Sequence, residues 1–410
     1  MCKKTRYGVF NLTFSQEKPQ TKKENYFLSQ VHQPFFTLGI SNTIIMMLIF
    51  ALGYKGVLTL SVDALFFHVY SLIFIVFINI FTGFLFTTYP KYTGMNNVEK
   101  PFYKKLFYIN LFGFILFLIG ALTHVTILLI ATTLIIYGNY LIVKKLKKLF
   151  ENSTAANLED PFWMLRAFKF GLAGNILMVI SIFIPVIQQF AIALSFFMFL
   201  IFLTFAVGQR MIPFFSHSME EKDERFIGTV FVLFIIKTIL ATFNSYDYVK
   251  IAEIIVDILL GLYMLGEFLK WKILDKNAHP IIWILHLGLF WLPAAFVLDA
   301  ISLIAELYLD TSFYFLGIHL IALGFLTTIL IGFGTRVTYG HSGQPPQAEG
   351  LVLGLFYFTQ IVVLTRFLYS LNIGFSWGLN FLFDISFTTW LILFVLWAAK
   401  FLPVLVRGAK

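Results

Sequence analysis

Three histidines lie inside long apolar stretches, where an imidazole ring has no water to bond. They are His68, His286 and His319. An unpaired polar group is costly in hydrocarbon, so such a ring needs a hydrogen-bond partner or a metal. Imidazole nitrogens bind haem iron and copper. These residues therefore predict metal or haem binding, and the ordinary alternative is a hydrogen bond that locks two helices together.

The composition identifies the surroundings of these histidines as a lipid bilayer. Hydrophobic residues make up 59% of the 410 residues and charged residues only 12%, which is far from the composition of a soluble domain. The sequence predicts an all-α, polytopic membrane protein with twelve transmembrane helices, each near the spanning length. The apolar runs are 35–53, 62–89, 103–122, 124–143, 164–185, 189–208, 226–243, 248–268, 280–302, 312–334, 351–370 and 379–402.

The positive charge indicates topology rather than nucleic-acid binding. The net charge is +9, but the basic residues lie between the apolar runs. With the N-terminal tail placed inside, the outer connections carry only Lys55 and Lys250, so we expect both termini in the cytoplasm. There is no convincing internal repeat and no low-complexity linker. We therefore divide the chain into a cytoplasmic tail, 1–30, and a single transmembrane domain, 31–410.

The sequence excludes several classes of site. Cys2 is the only cysteine, which excludes internal disulfides and thiolate clusters within one chain. No phosphate-binding loop, dinucleotide fingerprint or nucleophile motif is present. A metal would have to be held by histidine, methionine, tyrosine, carboxylates or a cofactor. We assign no catalytic residue, and whether the protein is an enzyme stays open.

Depth in the membrane relates His68 to His319. At a rise of about 1.5 Å per residue, both lie roughly 9 to 10 Å below the outer surface, on the second and tenth runs. Two imidazoles at one depth on separate helices are what a bis-histidine haem site needs. Arg366 lies in the outer half of run eleven, where it could bind a haem propionate. It could equally pair with an outer carboxylate. The candidates are Asp299, Glu306 and Asp384.

Other polar residues define further candidate positions. His286 lies roughly 9 Å above the inner face, too far to share the outer metal, so it could serve a second metal or haem or be a packing residue. Lys237 and Asp257 approach the midplane from opposite sides, and we expect an ion pair shared with Glu253, or a proton or ion path.

The inner loops hold the remaining candidates. Arg336 and His341 flank a glycine-containing turn and could form a small anion site, and Arg210 is a further inner basic residue. Structural roles are expected for the other four histidines, which are His32, His124, His217 and His279.

These residues fall in segments that resemble the NnrS family of bacterial inner-membrane proteins. The most specific segment joins His319 to Thr335-Arg336-Val337 and Gly340-His341-Ser342-Gly343. The other matching segments are Pro34-Phe35-Phe36, His68 with Gly83 to Gly94, Gly208 to Phe215 including Arg210, and His286 to Leu292. The resemblance implies a bacterial inner-membrane location, twelve spans, haem, copper and a role in the nitric oxide response.

Two departures from the family pattern concern copper. Tyr70 stands where the family usually has a second histidine after His68, and Gln344 replaces an arginine. The resemblance therefore implies haem at His68, His286 and His319 more directly than copper.

The family is in turn similar to the catalytic subunit of haem-copper oxidases, in which histidines on the second and tenth helices hold a haem. This chain lacks the adjacent histidine pair and the His-x-His segment of that class, so a proton-pumping oxidase is not expected.

The leading functional hypothesis is a haem-binding membrane protein that contributes to resistance against nitric oxide (nitrosative stress). It would act by handling nitric oxide or metal, or by electron transfer from a respiratory donor. One alternative is a transporter for haem, metal or a small anion, with Lys237, Asp257 and Arg336 along its path. Another is an accessory protein of a respiratory complex that binds no cofactor.

Overall fold

A computed structural model describes residues 26–408 except 217, 219–222 and 276. Most of the predicted tail, 1–25, and His217 lie outside the described residues. Within them the chain is helical and contains no strand, which confirms the all-α class.

Twelve helices make up the described part of the chain, and each coincides with one predicted apolar run. A short 3₁₀ turn, Tyr26–Leu28, precedes them. The helices are α1 His32–Tyr54, α2 Ala64–Tyr92, α3 Lys100–Leu122, α4 Val125–Glu151, α5 Glu159–Ser181, α6 Pro185–Phe215, α7 Phe226–Thr242, α8 Asp247–Lys270, α9 Pro280–Leu309, α10 Leu316–His341, α11 Leu351–Gly374 and α12 Phe381–Arg407.

Ten of these twelve described helices are long and apolar enough to cross a membrane. The chain is therefore a multi-pass membrane protein. The two others are α7, which has 17 residues, and α8, which carries several charged side chains along its length. The ten helices support the membrane fold, whereas the count of twelve spans stays a prediction.

Local sequence signals explain where several helices begin. Asp63 precedes α2, and its carboxylate accepts a hydrogen bond from the Phe66 backbone N–H at 2.7 Å. His124 precedes α4 in the same way, because its Nδ1 accepts from the Thr126 N–H at 3.2 Å. Both residues satisfy amide groups that the first helical turn leaves free. His124 therefore has the structural role that the sequence predicted for it.

Three central helices share an irregularity that recurs every fourth helix. In an apolar 18-residue stretch of each helix, 89% of the stretch is buried in α2 and in α6, and 78% in α10. The buried share is 56% or less in the seven other apolar helices of spanning length in the described chain. Each of the three contains a π-helical segment, at Leu72–Phe77, Leu194–Ile201 and Leu320–Thr327. Such segments widen the helix and are frequent at functional sites. No sequence repeat signals this structural recurrence.

Small residues bring neighbouring helices close together. A Cβ atom added at Gly120 of α3 would lie 2.3 Å from the backbone nitrogen of Leu128 in α4. This contact involves backbone atoms, which cannot rotate away as a side chain can. By contrast, a Cβ atom at Gly266 of α8 would meet no atom within 4 Å. The two glycines offer a matched comparison of packing inside and outside a helix contact.

We expect Gly120→Ala to lower the free energy of unfolding by about 1 to 3 kcal/mol, because it overpacks a backbone contact. Gly266→Ala should leave stability unchanged or raise it slightly, since alanine restricts the unfolded chain and meets open space. Thermal unfolding of the two detergent-solubilised variants measures the difference. Equal midpoints would show that the α3–α4 contact does not constrain the fold.

Candidate functional site

His68 and His319 face each other near the outer ends of α2 and α10. Each lies about one turn inside its helix, as the fifth residue of α2 and the fourth of α10. Their ring centroids are 6.4 Å apart and their planes differ by 23°. With metal–nitrogen bonds of about 2.0 Å and about 1.1 Å from nitrogen to ring centre, two axial imidazoles need roughly 6 Å. The observed centroid distance is close to that separation.

The backbone before α10 fixes the orientation of the His319 ring. Its Nδ1 lies 2.9 Å from the carbonyl oxygen of Phe315. A hydrogen on Nδ1 can donate to that carbonyl, which leaves Nε2 unprotonated and able to bind a metal. Tyr314 and Phe315 both have positive φ angles, 45° and 56°. Such strain in consecutive residues other than glycine is typical of functional sites.

Arg366 of α11 lies beside His319 and has no carboxylate partner among the described residues. Its side chain donates to Ser370 Oγ and to the Tyr314 carbonyl oxygen at 3.2 Å. Its Nη2 is also 3.0 Å from His319 Nδ1, a nitrogen that already faces the Phe315 carbonyl. A neutral imidazole carries no negative charge in either tautomer, so this contact does not compensate the guanidinium charge. The residue is only 8% exposed.

The predicted alternative for Arg366, a pair with an outer carboxylate, is wrong. Each of the three candidates pairs with a lysine instead. The pairs are Asp299 with Lys237 at 2.8 Å, Glu306 with Lys250 at 2.9 Å, and Asp384 with Lys55 at 2.6 Å. Tyrosinate does not supply the charge from the loop either, because burial raises the pKa of Tyr314 to about 12. The guanidinium therefore lacks an anion of its own.

Aromatic rings surround the histidine pair. The Phe50 ring centroid is 4.1 Å from that of His68, and the Arg366 guanidinium is 5.1 Å from the Tyr369 ring. Tyr54 packs against Phe383 with centroids 4.7 Å apart. Aromatic walls with a few convergent polar groups are typical of cofactor sites.

His286 does not join the outer pair and ties two helices together. It is 2% exposed, and its Nε2 lies 2.6 Å from Ser216 Oγ at the end of α6. Its Nδ1 has no hydrogen-bond partner among the residues described. The hydroxyl contact supports the packing role, while the unbonded Nδ1 leaves the second metal site a prediction.

The inner end contains a histidine pair that the sequence did not predict. His32 of α1 and His341 of α10 have ring centroids 4.3 Å apart. Both lie at inner helix ends, so their equal depth was available as a signal. The Arg336 guanidinium lies 3.9 Å from the Phe215 ring, which is a cation–π contact. The anion site with His341 stays a prediction.

Two other candidate residues have neighbours that indicate a structural role. Arg210 lies 3.4 Å from the Asp160 carboxylate, an ion pair that links α6 to α5. His279 immediately precedes Pro280, the first residue of α9.

Lys237 forms the predicted ion pair with Asp257 and contacts two more carboxylates. Its Nζ lies 2.7 Å from Asp257, 2.8 Å from Glu253 and 2.8 Å from Asp299. The three carboxylates lie close enough together to hold a metal ion. However, the ammonium group already bonds all three and occupies the place that a cation would take. The ammonium group therefore links α7 to α8 and α9, with Asp299 as the member that sequence reasoning missed.

We expect Lys237→Met to lower the free energy of unfolding by about 3 to 5 kcal/mol, because it leaves three carboxylates, two of them buried, without a counter-charge. Lys55→Met is the control, since the Lys55–Asp384 pair is 44% and 43% exposed and such pairs contribute about 0 to 1 kcal/mol. Denaturation in detergent compares the two. Similar losses would contradict a structural role for the cluster.

Comparison with known families gives one match. The NnrS protein family matches residues 26–408, a range that includes all twelve described helices and both outer histidines. No curated protein sequence matches the chain significantly. The match covers nearly the whole chain, and the chain therefore belongs to the NnrS family, which associates it with the nitric oxide response.

Proposed function

We propose that the protein binds haem between His68 and His319 and contributes to resistance against nitric oxide. The observation that carries the proposal is a facing pair of imidazoles, 6.4 Å apart, beside a buried arginine without a carboxylate partner in the described chain. Family membership supports the link to nitric oxide. The haem itself is inferred from the chemistry of these residues.

The residues at the site fit haem better than a lone copper ion. Nε2 of His319 and one ring nitrogen of His68 would hold the metal, and Arg366 would bind a propionate. The propionate carboxylate would give Arg366 the counter-charge that Nδ1 of His319 does not supply. A copper ion would satisfy the two histidines but would add positive charge beside the guanidinium. The arginine therefore favours a cofactor that brings its own carboxylate.

The two histidines differ in how firmly the protein holds them. The His319 ring is fixed by the Phe315 carbonyl, whereas the His68 ring makes no hydrogen bond to another described residue and packs on Phe50. Haem would supply an iron able to carry an electron or bind nitric oxide. Two histidine ligands favour electron transfer, because a gas must displace one of them. His68 is the ligand that the protein leaves free to move.

This site also constrains the partners. We place the protein in the bacterial inner membrane with both termini in the cytoplasm, on the basis of the family and of the basic inner loops. His68 and His319 then lie near the outer face. A respiratory electron donor for this site would act from the outer side. The basic loops lie on the opposite side and are too distant from the histidine pair to bind this donor.

The transporter alternative is less well supported by the geometry. Lys237 is enclosed by its three carboxylates, and Arg336 stacks on Phe215. Both side chains are held in these contacts within the described chain. A resident cofactor therefore explains the outer site more simply than a transported one.

We expect His319→Ala to abolish haem binding, because it removes the anchored ligand. His68→Ala should bind less haem, and the haem that remains should change from low-spin to high-spin absorption, because one axial position opens. The readouts are haem per chain and the absorption spectrum of protein expressed with ample haem.

His286→Ala is the matched control, since it removes a buried histidine that lies outside the outer pair, and its haem content should equal that of the unaltered protein. Full haem with an unchanged spectrum in both outer-site variants would refute the assignment. Absence of haem in the unaltered protein would favour the accessory role without a cofactor.

A further inference from the structure

An apolar cavity of about 60 Å³ lies between five helices, on the inner side of the histidine pair. It is bounded by α1, α2, α6, α10 and α12. Its wall includes Ile40, Phe81, Val207, Leu326 and Trp397. Each of these residues comes from a different one of the five helices, so the cavity lies where all five meet.

The polar groups next to the cavity are already used. Thr204 is the one hydroxyl residue in the wall, and its Oγ1 donates to the Leu200 carbonyl at 2.8 Å. The Trp397 Nε1 donates to Thr335 Oγ1 at 3.1 Å. A buried water needs two to four polar partners, and a space without them stays dry and binds apolar atoms or molecules. The cavity therefore suits a small apolar ligand.

The irregular central helices keep the space open. Phe84 of α2 and Phe333 of α10 meet with ring centroids 6.2 Å apart and form part of the wall. These rigid rings hold the two helices apart just beyond their π-helical segments. Gly334, which also lines the cavity, leaves room beside Trp397, since a Cβ atom there would lie 3.0 Å from that ring.

The cavity lies inward of the histidine site along α10. Leu326 lies in its wall and follows His319 by two helical turns, roughly 10 Å along α10. Leu330 and Val337 of the same helix also line it and are only partly buried, so the cavity reaches the protein surface. An apolar gas dissolves in hydrocarbon and could enter there.

We infer that this cavity is a holding site for an apolar diatomic gas, with nitric oxide as the ligand, which reaches the His68–His319 site from the bilayer. The size and the dry wall carry this inference, since a diatomic molecule needs no hydrogen bond. The identity of the gas rests on the proposed function, because the metal at the histidine pair would be what binds it next.

Crystals of the full protein under xenon pressure test the cavity without any haem. We expect a xenon atom in contact with the named wall residues. Val207→Phe, which places a ring in the cavity from α6, should abolish the xenon signal, and Ile40→Phe tests the same space from α1. Val232→Phe is the control, because Val232 is 53% exposed on α7 and should leave xenon bound. No xenon in the unaltered protein, or density for a lipid chain in the cavity, would overturn the inference.

Flash photolysis of the nitric oxide complex tests the ligand. In Val207→Phe the fraction of nitric oxide that rebinds from within the protein should change severalfold, with the haem spectrum unaltered. Val232→Phe should behave as the unaltered protein. Identical rebinding in both variants would show that the gas does not use the cavity. Absence of haem would instead refute the proposed function and leave the xenon result standing.

Discussion

The buried guanidinium of Arg366 is the interaction on which the outer site depends. A positive charge only 8% exposed, with no carboxylate partner in the described chain, is costly in a medium of low dielectric constant. The surrounding groups are a serine hydroxyl, a backbone carbonyl and a histidine nitrogen. They hold the side chain in place without neutralising it. The protein therefore presents a fixed cation next to two imidazole rings, and the proposed cofactor, which has both a metal and a carboxylate, would satisfy each of them.

The bundle contains two kinds of buried charge, and they lie on different helices. On α7, α8 and α9, Lys237 has three carboxylate partners within 2.8 Å, and the group needs no ligand to hold the helices together. The outer site on α2, α10 and α11 instead contains the Arg366 guanidinium, which has no carboxylate partner among the described residues. The central helices that carry the histidines also contain π-helical segments and border the apolar cavity. We therefore assign fold stability to the first group and the proposed ligand binding to the second.

Much of this arrangement was predictable from depth, and the rest depends on rotation about the helix axes. The rise per residue and the basic loops placed His68 level with His319 and Lys237 level with Asp257. Neither says which way a side chain faces. Asp299 therefore looked like a partner for Arg366, although it turns toward Lys237 and packs against Gly317, where a Cβ atom would lie 2.1 Å from its carboxyl carbon.

Other features had weaker signals or none. The π-helical segments follow from packing among the central helices and have no residue pattern. The sequence places His32 and His341 at the same depth, but it gives no chemical reason for the two rings to make contact. Of the twelve predicted spans, α7 and α8 fall outside the ten described helices that meet the length and hydropathy expected of a crossing. Charged side chains of α8 form ion pairs with α7 and α9.

Electron paramagnetic resonance of the oxidised, detergent-purified protein tests the central claim most directly. Two axial imidazoles whose planes differ by 23° are near parallel, and we expect the rhombic low-spin signal of bis-histidine haem, lost in His319→Ala. A copper signal in place of haem, or a purely high-spin iron signal in the unaltered protein, would contradict a haem held between His68 and His319.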